Sequence, residues 1–153
     1  MIRKGGCHCG AVQFEADLPE ELSGSRCDCS ICAMKGAVML YVPQEALRVT
    51  AGEDVLSCYR FNTGVAKHHF CAKCGIHCFH QPRSDPDKYA INAATLAGID
   101  IYQDFPEILV NDGQNHQLDN DGERRLKGTL QFAPSPVSLE NPDKYRFRPT
   151  WRH

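Results

Sequence analysis

Apolar and polar residues alternate in several short segments of this chain, and no segment sustains a helical period. In AVQFEA (11–16), Val12, Phe14 and Ala16 fall on one face. VLSCYRF (55–61) aligns Val55, Ser57, Tyr59 and Phe61 in the same way. AVMLYV (37–42), LRVT (47–50), HHF (68–70), IHCFHQ (76–81) and YAINAATL (89–96) also read as strands. Between them lie GG, LPEELSG, AGED, NTG and PRSDPD, all turn chemistry. CSICAMKG (29–36) has room for one helical turn, and QDFPEILV (103–110) reads as a short helix. The pattern predicts a mainly β fold built from small sheets. Residues 117–153 carry Pro134, Pro136, Pro142 and Pro149, which predicts an irregular wrap with one or two edge strands.

With 153 residues and no repeat or linker, the chain is expected to form one domain, 1–153. A formal net charge of −2 gives no electrostatic reason to expect a nucleic-acid partner. The end KYRFRPTWRH interleaves basic and aromatic residues, a pattern that also fits an edge strand with its arginines outward. No apolar run approaches a membrane span, and MIRKGGCHCG lacks the apolar core of a signal peptide, so no membrane partner and a cytoplasmic location are expected.

The cysteines change the picture most. There are nine, an odd number, and in a reducing compartment that favours metal ligation or catalysis over disulfides. GCHCG supplies Cys7 and Cys9, RCDCSIC supplies Cys27, Cys29 and Cys32, and FCAKCG supplies Cys71 and Cys74. Cys58 and Cys78 stand alone in expected strands. A C-x-x-C turn aims two sulfurs at one ion, and Gly75 suits the positive φ that commonly follows. A redox dithiol would want a βαβ setting, which these strand-like flanks do not offer. CHC is a natural second half, giving a closed site that staples the N-terminus to mid-chain.

Spacing alone leaves the pairing open. The triplet could recruit Cys58, Cys78, or one of His8, His68, His69, His77 and His80, each of which is also an ordinary buried or half-buried side chain. Three thiolates donate charge to an ion and blunt its power to acidify water, so a visiting thiol suits an open fourth position better than water does. Three-cysteine zinc sites that activate water in deaminases need a companion Glu and a P-C-x-x-C pair, and neither is present.

These frames, from about Gly5 to Leu96, resemble the family of glutathione-dependent formaldehyde-activating enzymes, which also includes centromere protein V. The resemblance rests on GGCHCGAVQF, CDCSICAMKGA, FCAKCGIHCFHQPRSDPDKYAINAATL and, more loosely, NDGQN at 111–115. It implies a β-tent fold, small antiparallel sheets tied together by zinc. It implies two zinc ions, a structural one held by Cys7, Cys9, Cys71 and Cys74 and a catalytic one held by Cys27, Cys29 and Cys32. It implies a carbon–sulfur lyase-type activity that reversibly joins glutathione to formaldehyde as S-hydroxymethylglutathione. Asp28 and Ser30 are candidate supports for the triplet, and Arg26, Lys35, Arg60, Lys67 and Arg83 are candidate partners for the ligand's carboxylates. The competing classes are a non-catalytic zinc-stabilised binding module, with the triplet closed by Cys58 or Cys78, and an enzyme acting on a different thiol-linked substrate. An iron–sulfur cluster would also suit four thiolates.

Overall fold

The computed structural model describes residues 1–134. Strands β1 (Ile2–Gly6), β2 (Gln13–Asp17) and β5 (Leu47–Ala51) form a three-stranded antiparallel sheet in the order β1-β2-β5. The second sheet contains β3 (Ser25–Cys27), β4 (Met39–Pro43), β6 (Leu56–Tyr59), β7 (Lys67–Cys71), β8 (His77–Gln81), β9 (Lys88–Asn92), β10 (Ile108–Asn111) and β11 (Leu126–Leu130). Their order is β11-β10-β3-β4-β9-β8-β7-β6. The mainly β expectation holds, and every pairing is antiparallel except β10 with β3.

The face read from AVQFEA is the face the fold buries, with Val12, Phe14 and Ala16 each at most 1% exposed. Phe14, on the small sheet, meets Phe79, on the large one, edge to face at 5.7 Å. Val42, Ile91 and Leu96 complete the buried layer around this contact. Hydrophobic burial of these side chains is what holds the sheets together in the core.

Three readings change. QDFPEILV is not a helix: Phe105 is buried and Ile108–Asn111 is β10. Leu109, Val110 and Asn111 pair with Ser25, Arg26 and Cys27, so the apolar ILV run ends in a strand that satisfies the open edge of β3. YAINAATL stays extended only to Asn92, whose side chain accepts from Ala94 N at 3.2 Å and caps a 3-10 turn. The aligned face of VLSCYRF is only partly buried, because β6 is the last strand of the sheet. Strands β1 and β3 were not read at all: one ends in two glycines and the other has three residues.

CSICAMKG does form one short helix, α1 (Ser30–Lys35), closed by Gly36 at φ 62°. Among the described residues of the tail, β11 is an edge strand, and KYRFRPTWRH lies outside the described residues. No helix among the described residues is long and apolar enough to cross a membrane.

Phe14→Ala removes the aromatic contact between the sheets. We expect a loss of about 3–5 kcal/mol, seen as a lowered denaturant midpoint with unchanged slope.

Candidate metal centres

Two groups of cysteines converge, by different local means. Cys7 and Cys9 lie in the turn after β1, where Gly10 N donates to Cys7 O at 3.0 Å and Val12 N donates to Cys7 Sγ at 3.2 Å. Cys71 ends β7, and Gly75, at φ 75°, donates its N–H to Cys71 O at 2.8 Å, closing the knuckle that carries Cys74. All four sulfurs lie within 4.8 Å of one another. Cys7 and Cys9 Sγ are 3.5 Å apart, and Cys9 and Cys71 Sγ are 3.8 Å apart. A tetrahedron with zinc–sulfur bonds of about 2.3 Å has edges of about 3.8 Å, so this cage fits a zinc ion.

The surroundings bias these thiols in opposite directions. Burial pushes Cys7 up to about 12. Burial opposes ionisation at Cys74 too, but N–H donors from Ile76 and Cys9 and the neighbouring sulfurs hold it down, at about 6. Cys78 is fully buried beside this group, and its thiol is pushed up to about 12 by burial and then by the charges of Cys7, Cys71 and Cys74. Cys58 is exposed on β6 and joins neither group.

The triplet is built by the β3–α1 junction. Cys27 ends β3, Cys29 is the N-cap of α1, and Cys32 is one helical turn on. Ala33 N donates to Cys29 O at 2.9 Å and Gly36 N to Cys32 O at 3.0 Å, so the helix turns both sulfurs to one side. The three sulfurs lie within 4.8 Å of one another, and among the described residues no fourth Cys, His, Asp or Glu joins them. Contact with Cys27 and then Cys32 draws Cys29 down to about 2; contact with Cys29 pushes Cys27 up, and contact with Cys27 and then Cys29 pushes Cys32 up. Three thiols this close oppose one another's ionisation, and a divalent cation bound between them would favour the thiolate form of all three.

A cavity of about 890 Å³ is lined by Cys27, Cys29 and Cys32 and by none of Cys7, Cys9, Cys71 and Cys74. The loop 111–115 forms part of its wall. Asp28 Oδ1 accepts from Gly113 N at 2.7 Å and Gln114 N at 3.1 Å. Asp28 Oδ2 forms an ion pair with Lys127 Nζ at 2.8 Å. Lys127 and these N–H donors hold the Asp28 carboxyl below the usual range. Gly113 is needed here: a Cβ at this position would collide with Cys27 Sγ and lie 2.8 Å from Cys29 Cβ. Asp28 therefore supports the loop that covers the triplet, while Ser30 simply lines the cavity.

Of the five cations suggested for a ligand's carboxylates, only Arg83 lines the cavity, where it meets Asp119 at 2.6 Å and His116 Nδ1 at 3.1 Å. The sequence reading missed Lys88, Arg124 and Arg125, which also line it, and Tyr41. Burial, followed by the Cys32 charge, raises the Tyr41 phenol to about 12. Among the histidines, His69 packs at a tilt against Phe79, with ring centroids 5.0 Å apart, whereas His68, His77 and His80 gather as a group of their own.

Residues 2–112 match the family model described as glutathione-dependent formaldehyde-activating enzyme. The chain belongs to this family. The family match spans every cysteine of both groups and ends one residue before Gly113. A Halomonas elongata protein, named provisionally as a glutathione-dependent formaldehyde-activating enzyme, is 34% identical over 82 residues, 48% of this chain and 52% of that protein. The chain thus spans about half the length of that curated relative. The crystal structure of a Rhodobacter sphaeroides protein superposes with a TM-score of 0.62 at 44% identity, covering 64% of this chain and 91% of that one.

Asp28→Ala leaves two N–H groups of the covering loop without their acceptor. We expect amide exchange at Gly113 and Gln114 to quicken roughly ten- to hundredfold, matching a loss of about 1–3 kcal/mol, with little change in the core strands.

Proposed function

We propose that this chain is a single zinc-binding domain, 1–153, that reversibly joins glutathione to formaldehyde as S-hydroxymethylglutathione. The supporting observation is the asymmetry of the two sulfur groups. Cys7, Cys9, Cys71 and Cys74 form a four-sulfur group that does not line the cavity, and Cys27, Cys29 and Cys32 form a three-sulfur group on its wall. The first set would hold a structural zinc and the second a catalytic one. When bound at the triplet, zinc supplies Lewis acidity that lets a coordinated thiol lose its proton near neutral pH.

The chain's own groups account for the rest. The cavity falls within the usual range for small-ligand sites. Arg83, Arg124 and Arg125 on its wall are suited to the two carboxylates of a glutathione-sized thiol. Asp28 and Gly113 bring the covering loop close over the sulfurs without a side chain entering the space. As the thiol sulfur attacks the carbonyl carbon, a carbon–sulfur bond forms, the carbon–oxygen double bond becomes single, and the oxygen gains a proton. We assign that proton transfer to Tyr41, which lines the same cavity: its phenol would donate the proton and recover the one released by the thiol. The lyase direction runs the same transfers backwards.

Cys32→Ser is expected to lower the zinc content from two ions to one and abolish turnover while the fold persists. Cys71→Ser is expected to destroy the cooperative melt or lower it by roughly 10 °C or more, since a structural zinc contributes folding free energy directly. Exchange NMR of the hydroxymethyl protons, with the uncatalysed addition subtracted, measures turnover; equal and mild effects at both positions would refute the assignment. Tyr41→Phe is expected to slow exchange by roughly 10- to 100-fold with both zinc ions retained.

A further inference from the structure

Strands β7 and β8 carry a third potential metal-binding group, separate from both cysteine sets. His68 is paired with His80 across the two strands. His77 lies three residues before His80, a spacing that would put the two on opposite faces of a regular strand. The register shifts between His69 and Phe70, so that His69 faces Phe79 while Phe70 faces His77. Cys78 is the extra residue, and this bulge turns His77 towards the other two rings. The ring centroids are 4.9 Å apart for His68 and His80, 5.4 Å for His77 and His80, and 6.1 Å for His68 and His77.

All three side chains are more than nine-tenths buried. His68 Nε2, both nitrogens of His77 and His80 Nδ1 are buried with no hydrogen-bond partner among the described residues. Four such ring nitrogens side by side are costly unless something takes their lone pairs. Burial, assisted by the nearby Lys35 charge, keeps the three rings neutral, so each has a lone pair to offer. Lys35 Nζ lies 2.9 Å from His68 Nδ1, on the other nitrogen of that ring. Nε2 is thus the nitrogen of the His68 ring without a hydrogen-bond partner, and it is the one that would meet an ion. Asn92 Nδ2 donates to His77 O at 2.9 Å and fixes the backbone at the bulge.

We propose that His68, His77 and His80 form a third metal site, selective for a divalent late first-row ion such as Zn²⁺, Co²⁺ or Ni²⁺. Imidazole ligands suit these ions, and one potential ligand atom from each residue lies within 4.8 Å of the others. Three ligands leave a coordination position open. His68 and His80 line the cavity that the cysteine triplet also faces, so that position takes an oxygen donor, water or a carbonyl oxygen, of a molecule held there. The site is independent of the activity proposed above, and ion count and spectrum test it without reference to turnover.

The test adds Co²⁺ to the full chain already loaded with zinc and dialysed. The expected result is one further ion per chain, with visible ligand-field bands and no sulfur-to-cobalt charge transfer. Proton NMR of the same sample should show paramagnetic shifts for the imidazoles of His68, His77 and His80 and not for His8 or His69. His77→Gln and His80→Gln should each abolish the extra ion and leave the two zinc ions in place. Failure of the wild-type chain to take up a further ion, shifts confined to other histidines, or retention of the ion by folded variants would overturn the proposal. Charge-transfer bands without a further ion would also overturn it, and would show separately that cobalt had replaced zinc at cysteine. Where a variant does not fold, the wild-type spectra decide.

Discussion

Cys9 and Cys71 are 62 residues apart in sequence and 3.8 Å apart at their sulfurs. Closing a loop of that length costs chain entropy, and packing four thiols together gains little in return unless their charge is shared. The two turns that carry them thus form a cage that could hold a cation, which would offset that cost. The same junction brings the turn after β1, from the small sheet, onto the β7–β8 knuckle of the large one. The Phe14–Phe79 contact lies within the same core, so hydrophobic burial and sulfur convergence reinforce each other across the sheets.

Once the sheets are joined, the β3–α1 junction can be specialised without bearing that load. Its three sulfurs are half-buried and face open space, whereas Cys7 and Cys71 are fully enclosed. The parallel pairing of β10 with β3 places loop 111–115 over the triplet, and Asp28 fastens it there. Ligand geometry and cavity shape are thus set by separate elements. Chains with the same cysteine pattern can therefore differ in the molecule they admit, through residues such as Arg83, Tyr41 and Arg124.

Much of the site was legible because cysteine spacing is local chemistry. C-x-C, C-x-x-C and their glycines describe turns, and the turns formed as read. The alternation of Val12, Phe14 and Ala16 likewise identified a core face. The misreading of QDFPEILV has a definite cause: an apolar run next to a proline carries no record of the β3 edge that it will satisfy. The cations were misjudged for a related reason. Arg26, Lys35, Arg60 and Lys67 are close in sequence to cysteines or histidines, but strand direction decides which side chains reach the cavity, and Arg124 and Arg125 arrive there from the far side of a long connection.

By itself the sequence determined the mainly β class, the cysteine turns of both sulfur groups and the family to which they belong, since each rests on residue type at short, fixed spacing. Only the tertiary structure decided which set faces a cavity, what covers it and that three histidines meet behind it. His77 and His80 should diverge on a regular strand, and only the bulge at Cys78, defined by pairing with β7, turns them together. Long-range register creates neighbours that local spacing cannot record.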